Sequence, residues 1–186
     1  MIAQGVLGGL TVLFLLPKAI SIAHAGLAEI FLCLNVSIAF LTSRDASPRP
    51  SFVLPVIVYG QILIGALMRH LGAGLAIPDF PLSFGHVVPN FTSAAIAVNF
   101  AHRVGAVVVL IAIIAAARRR MTVPLITVIT LQIALGALTV WSGKHPIITS
   151  LHVVTGAATL ALSLIYGLTN PVDEQAGAFV ATEVAA

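Results

Sequence analysis

The chain has 186 residues, 59% of them hydrophobic and only 8% charged, with a formal net charge of +3 and a mean hydropathy of +1.10. A soluble domain of this size needs far more charge to cover its surface, so the composition places the chain in a bilayer. The single cysteine, Cys33, excludes an intrachain disulfide, and the small positive charge reports membrane topology, which leaves nucleic acid unneeded as a partner.

In chain order, residues 1–16, 19–42, 52–70, 97–117, 121–142 and 147–169 each read as a mainly apolar helix. All but the first are long enough to span. "MIAQGVLGGLTVLFLLP" lacks the positive flank of a signal peptide and is expected to be a helix missing part of its start. The second segment leads into "TSRDASPRP", which carries Arg44 and Arg49. The third ends on Arg69-His70 and continues into "LGAGLAIPDFPLSFG", a loop that is half apolar. Irregular backbone near a membrane interface is tolerated where protein buries it, so residues 70–96 are expected to lie over the helices as a lid. Arg118, Arg119 and Arg120 close the fourth segment. The five arginines share one side, which the positive-inside rule makes cytoplasmic, and Lys18, Lys144 and the lid fall on the other. The tail after Asn170-Pro171, "VDEQAGAFVATEVAA", has no persistent helical stripe and is expected to be disordered on the cytoplasmic side.

"QGVLGGLTV" at 4–12 matches "QIALGALTV" at 132–140, and the same offset carries His24 onto His152. Without a gap, 4–32 against 132–160 gives identities at Gln4, Leu7, Gly8, Leu10, Thr11, Val12, Ile20, His24 and Leu32. Apolar composition supplies leucines, but it does not readily align a membrane Gln, Gly, Thr and His together. A third trace, "QILIGAL" at 61–67, shares the Gln-x-x-x-Gly spacing. Such repeats imply related bundles with sites inside or between them. The reading is an all-α integral membrane fold with one complete four-helix bundle, 52–169, and half of a pseudo-symmetric second bundle, 1–42. A cytoplasmic loop, 43–51, joins them, and 170–186 forms the tail.

Intramembrane ionisable groups are costly and suggest function. His24, His102 and His152 each begin a helix that runs inward from the lid side, at matching depth. Each is followed at i+4 by a small residue, Ala28, Ala106 or Gly156, expected to leave open space beside the imidazole. A bis-imidazole haem wants two neutral histidines facing each other across a bundle with small residues beside them. A lone histidine of this kind more commonly bonds a carbonyl or interfacial water. The pair in one bundle, together with the match of His24 to His152, puts haem ligation first. Zinc would need three or four converging ligands, and His70, His86 and His145 are scattered through loops without such spacing. Gln61, Gly65 and Arg69 lie along one helix face, and Arg69 and Arg103 suit haem propionates, since arginine binds carboxylates in fork geometry. Arg103 alone is equally well read as a snorkelling interface residue. Gln61 and Gln132 complete the set of cofactor-binding candidates.

At these residues the chain resembles the haem A synthase family. The carriers are "QILIGALMRHLGAGLAIPDFPLSFG", "AHRVGA", "QIALGALTV", "LHVVTGA", "QGVLGGLTV" and "AHAGLAEIF", which together reach nearly to Pro171. The resemblance implies eight membrane helices in two pseudo-symmetric four-helix bundles. It implies a haem b in the C-terminal bundle, held by His102 and His152. It also implies a site in the N-terminal bundle where haem O, the substrate, has a ring methyl oxidised to the formyl of haem A, with His24 as one ligand. On this resemblance the stretch from Met1 is expected to lack the first two family helices, with a histidine and a glutamate associated with catalysis, so no catalytic residue is assigned. The chain matches the C-terminal three-quarters of a synthase and by itself is expected not to convert haem O. Ser83 stands where many relatives have a lid cysteine. The implied setting is the bacterial plasma membrane. The implied partners are the lipid bilayer, haem O and an electron donor, with haem O synthase or a second copy of the chain as further candidates.

Two rival readings stay open on the residues alone. A b-type cytochrome that only passes electrons shares the bis-His site. A cofactor-free scaffold or transporter would account for the repeats equally well.

Overall fold

The computed structural model describes residues 1–43, 50–116 and 122–169. Among them lie α1 (Ile2–Leu13), α2 (Lys18–Ser43), α3 (Val53–His70), α4 (Ala94–Ala115), α5 (Thr122–Trp141) and α6 (Pro146–Thr169), with a single 3-10 turn at Ala73–Leu75. The helices α2 to α6 are long and apolar enough to cross a membrane, and α1, with 12 residues, is not. The chain is a multi-pass, all-α membrane protein. Arg44, Arg49, Arg118, Arg119 and Arg120, on which the orientation rests, lie outside the described residues, as does the tail from Asn170.

Helix ends follow local chemistry. α3 stops because Gly72 takes a left-handed φ of 70°, and the Leu71 and Gly72 amides then turn back onto the carbonyls of Leu67 and Arg69. α4 begins three residues before the expected Ala97, because the Ser93 hydroxyl accepts from the Ile96 amide at 3.3 Å and caps the helix there. α6 opens on Pro146, a residue suited to the first helical turn, where its missing N–H costs nothing.

Helices α3 to α6 form a four-helix bundle in which α3 packs on α4 and α6, and α5 packs on α4 and α6. α2 lies against α3 and α6, and α1 packs on α2. Small residues set the α2–α3 approach. A Cβ at Gly26 would stand 3.0 Å from Leu63 Cδ2 and 3.1 Å from the Tyr59 hydroxyl. Further along α2, Phe40 packs with Leu164 and Leu168 of α6.

The bundle is filled differently at its two ends. Leu54 and Val58 of α3, Val109 and Ile113 of α4, Leu125 and Ile129 of α5 and Leu160 of α6 make a continuous buried apolar cluster. These residues occupy the half away from the lid. The lid half, one or two turns further along each helix, is filled by Gln61, His102, Gln132 and His152, with glycines between them.

Candidate functional site

The imidazoles of His102, on α4, and His152, on α6, face each other inside the bundle with ring centroids 6.4 Å apart and an interplanar angle of 77°. Each ring rests on a glycine of a neighbouring helix. A Cβ at Gly65 of α3 would lie 2.9 Å from His102 Cε1, and one at Gly136 of α5 would lie 3.2 Å from His152 Cε1. The glycines therefore open the helix surface and let each ring reach the glutamine one turn earlier. The carboxamide Nε2 of Gln61 donates to the main-chain carbonyl of His102 at 2.7 Å and stands 3.1 Å from Nδ1 of the ring. His152 donates its Nδ1 proton to the main-chain carbonyl of Gln132 at 3.1 Å, and Gln132 Nε2 lies 3.4 Å from His152 Nε2. A carbonyl can only accept, so His152 is the Nδ1–H tautomer, and its Nε2 lone pair faces the Gln132 carboxamide nitrogen.

The same device recurs in the first hairpin. A Cβ at Gly8 would stand 3.1 Å from His24 Cε1. The glycine seat for a histidine thus occurs three times, on α1–α2, α3–α4 and α5–α6, and in the last two the glutamine also meets the histidine. The carboxamide oxygens of Gln4, Gln61 and Gln132 are all buried without a hydrogen-bond partner, and so is Nδ1 of His24.

For His152 the open space expected at i+4 is corrected by this packing. Gly156 is covered by Gln132, whose Nε2 would lie 3.2 Å from a Cβ there, and on α4 the matching seat is Gly105, which Gln61 fills. The small residues accommodate the glutamine of the neighbouring helix.

Of the two arginines, Arg103 belongs to the lid. Its Nη1 donates to the Leu82 carbonyl at 2.8 Å, its Nη2 to that of Ile77 at 3.0 Å and its Nε to Asn99 Oδ1 at 3.0 Å. The guanidinium also stands over the Phe80 ring, 5.6 Å from its centroid. Arg69, in the last turn of α3, is exposed and has no polar partner among the described residues. His24 sits on its own hairpin, away from the imidazole pair, and His86 and His145 are exposed. Among the described residues no three His, Cys, Asp or Glu side chains converge on a metal position, so a zinc-type site is lacking there.

Residues 73–82 are tied to α4 through Asn99 and Arg103. Asn99 donates through Nδ2 to the carbonyls of Ala73, at 2.8 Å, and Gly74, at 3.2 Å. Ala73, Ile77 and Ser83 of the lid are buried. Asp79 ties the far end into a turn, accepting from the amides of Phe84 at 2.7 Å and Gly85 at 2.8 Å. These bonds, that from Gly85 first, hold its carboxyl below the usual carboxylate range. Sequence reasoning missed Asn99, although a buried amide in a membrane helix, one turn before His102, is itself a signal. It also passed over Glu29 of α2, whose Oε2 is buried and unbonded.

Fold and site together define a class: a polytopic membrane protein with an imidazole pair seated across a lidded helical bundle. The chain belongs to the COX15-CtaA family of cytochrome oxidase assembly proteins, which it matches over residues 1–164. It is similar to heme A synthase of Halalkalibacterium halodurans, 33% identical over 127 residues that cover 62% of this chain and 42% of that protein. Heme A synthases of Symbiobacterium thermophilum and Shouchella clausii match at 26% over 61% of the chain and 30% over 57%, covering 42% and 40% of their own lengths. The chain therefore spans about two fifths of the length of the curated relatives it matches. No solved structure matches it.

Proposed function

We propose that the chain works in haem A synthesis, the oxidation of the ring methyl of haem O to a formyl group, with a haem b held between His102 and His152. The observation that carries this reading is the facing imidazole pair on its two glutamine–glycine seats, in a chain whose relatives are heme A synthases. A metal bound by one nitrogen from each ring at about 2 Å leaves the ring centres about 6 Å apart, which agrees with the separation of 6.4 Å. In the Nδ1–H tautomer His152 carries its lone pair on Nε2, so Nε2 would be its ligand atom once the Gln132 carboxamide, 3.4 Å away, gives way.

When bound, a bis-imidazole haem would supply one-electron transfer and no open coordination position. The chain's own residues supply the rest. The two glycine seats fix how closely the rings approach, and the lid, latched by Asn99 and Arg103, keeps water from the end of the bundle that carries them. Arg69, its guanidinium uncommitted among the described residues, is the cation assigned to propionates; Arg103 is already occupied by the lid. His24, on its equivalent seat, is assigned to the substrate haem. In the bacterial plasma membrane, loops 43–51 and 118–122 would face the cytoplasm.

The test is an absorption spectrum of the purified chain with its His→Ala variants. A low-spin, six-coordinate haem b should be present, lost or turned five-coordinate in His102→Ala and His152→Ala, and unchanged in His24→Ala. An unchanged low-spin spectrum in His102→Ala would falsify the ligand assignment. Extraction of haem A from cells making this family member in full separates a synthase from a cytochrome that only passes electrons.

A further inference from the structure

Gln61 and Gln132 occupy equivalent places in the repeat, yet they meet their histidines differently. His152 donates its Nδ1 proton to a main-chain carbonyl, that of Gln132. The Gln132 carboxamide meets the other ring nitrogen, with its Nε2 3.4 Å from His152 Nε2, and no side-chain replacement removes the main-chain partner of Nδ1. His102 turns Nδ1 towards a side chain, the Gln61 carboxamide, 3.1 Å away. The structure has the carboxamide nitrogen on that side, held by its bond to the His102 carbonyl, and leaves Oε1 buried without a partner. In that arrangement Nδ1 accepts and the proton sits on Nε2, so His102 and His152 are opposite tautomers.

An imidazole that ligates through Nε2 carries its remaining proton on Nδ1, and a ligating histidine nearly always donates that proton to a second group. For His102 the group in place is the Gln61 carboxamide, and the atom of it able to accept is the orphaned Oε1. Bringing Oε1 to Nδ1 means turning the amide and giving up its bond to the His102 carbonyl, which a bond from Nδ1–H to Oε1 replaces. Room for the carboxamide comes from Gly105, where a Cβ would overlap it. We infer that Gln61 is the positioning residue that selects the tautomer of His102, so that the two facing histidines are tuned separately, one by the main chain and one by a replaceable side chain. The tautomer difference stands on the geometry alone; the tuning of a bound haem rests on the proposed function above.

Two measurements test this. In the haem-free chain, nitrogen NMR of labelled histidine should find His152 as Nδ1–H and His102 as Nε2–H, with the His102 preference lost in Gln61→Leu. Both rings in one tautomer would overturn the inference whatever the chain binds. In the haem-loaded chain, Gln61→Leu should weaken haem binding by about tenfold to hundredfold and raise the reduction potential. Gln61→Glu, a stronger acceptor of nearly the same shape, should lower the potential, and Gln132→Leu should leave it almost unmoved. Shifts of opposite sign from Leu and Glu are beyond a merely structural role. Gly105→Ala, which displaces the carboxamide without removing it, should reproduce the Gln61→Leu shift and covers the case in which that variant fails to fold. Equal shifts from Gln61→Leu and Gln132→Leu, or no shift from Gln61→Glu, would refute it. A wild-type chain with no bis-imidazole spectrum fails the haem reading itself and leaves the NMR result to decide the tautomers.

Discussion

Adding one methyl group at three glycines of the same bundle should separate imidazole seating from general packing. At Gly60 of α3 a Cβ meets nothing within 4 Å. Gly60→Ala should therefore gain only the helix-propensity difference, about 0.8–1 kcal/mol. At Gly136 the new carbon would lie 3.2 Å from His152 Cε1, and at Gly65 it would lie 2.9 Å from His102 Cε1. Ordinary carbon contacts begin near about 3.5 Å, so the rings must retreat by about 0.3 Å and about 0.6 Å respectively. Overpacking of this kind costs about 1–3 kcal/mol, of which Gly65→Ala should show the upper part and Gly136→Ala the lower. Metal sites tolerate displacements of only about 0.2 Å in ligand distance. The order of damage to the low-spin spectrum should thus be Gly65→Ala, then Gly136→Ala, with Gly60→Ala like wild type. The assay is the visible spectrum and haem stoichiometry of each purified variant, with thermal unfolding in detergent as the packing control. If Gly65→Ala and Gly60→Ala give the same spectrum and the same melting shift, the glycine seats do not position the rings.

Three further outcomes follow from the lid and the topology. Asn99→Leu removes the side-chain donor to the Ala73 and Gly74 carbonyls, of which Ala73 keeps only its bond from the Ala76 amide, and should cost about 1–3 kcal/mol. It should speed hydrogen exchange in residues 73–83, and protection equal to wild type would rule out the latch. The Asp79 carboxyl is held below its ordinary range, so its contribution to the lid turn is complete above the unfolded pKa of about 3.9. That contribution is lost as pH falls through the lower folded value. Trp141, edge-on to Phe80 with centroids 6.1 Å apart, reports this in its fluorescence, and Asp79→Asn should remove the acid step; identical titrations would count against the turn. For orientation, a cysteine probe at Val87, 79% exposed, should label from outside the cell and one at Ser47 only after permeabilisation. Ser83 is 1% exposed and unsuited to a probe; the reverse labelling pattern would invert the topology.

The fold was legible because membrane helices announce themselves by length and composition, and the helix ends moved by no more than three residues. The histidine pair was legible too, since a buried ionisable group in a bilayer stands out against an apolar background. The roles of Gly105, Arg103 and Asn99 were not. Which small residue faces a neighbouring glutamine depends on how two helices cross, and spacing within one helix cannot settle whether i+3 or i+4 does so. Arg103 read as a haem cation because its neighbour in sequence is His102. Adjacent residues on a helix point about 100° apart, and Arg103 points to the lid carbonyls. The lid bonds themselves run to main-chain carbonyls, which carry no sequence signature.

The repeat acquires a physical meaning once the glycine seats are placed on it. From glutamine to histidine the first and last hairpins each take 20 residues, and the middle one takes 41. The extra length is the lid, inserted between α3 and α4 without disturbing the Gln–Gly–His contact on either side of it. That contact therefore does not depend on a short connection. It depends on two helices crossing where a glycine faces a histidine, with the glutamine one turn away to meet the ring. Two such hairpins facing each other make the imidazole pair of α3–α6. The third, on α1–α2, has the same seat, but Nδ1 of His24 and Oε1 of Gln4 are both buried and unbonded, and among the described residues no second imidazole stands against His24. A buried unpaired polar atom costs about 1–3 kcal/mol, and this hairpin keeps two of them beside the glycine seat it shares with the other two. The hairpin, more than the bundle, is the unit this sequence repeats.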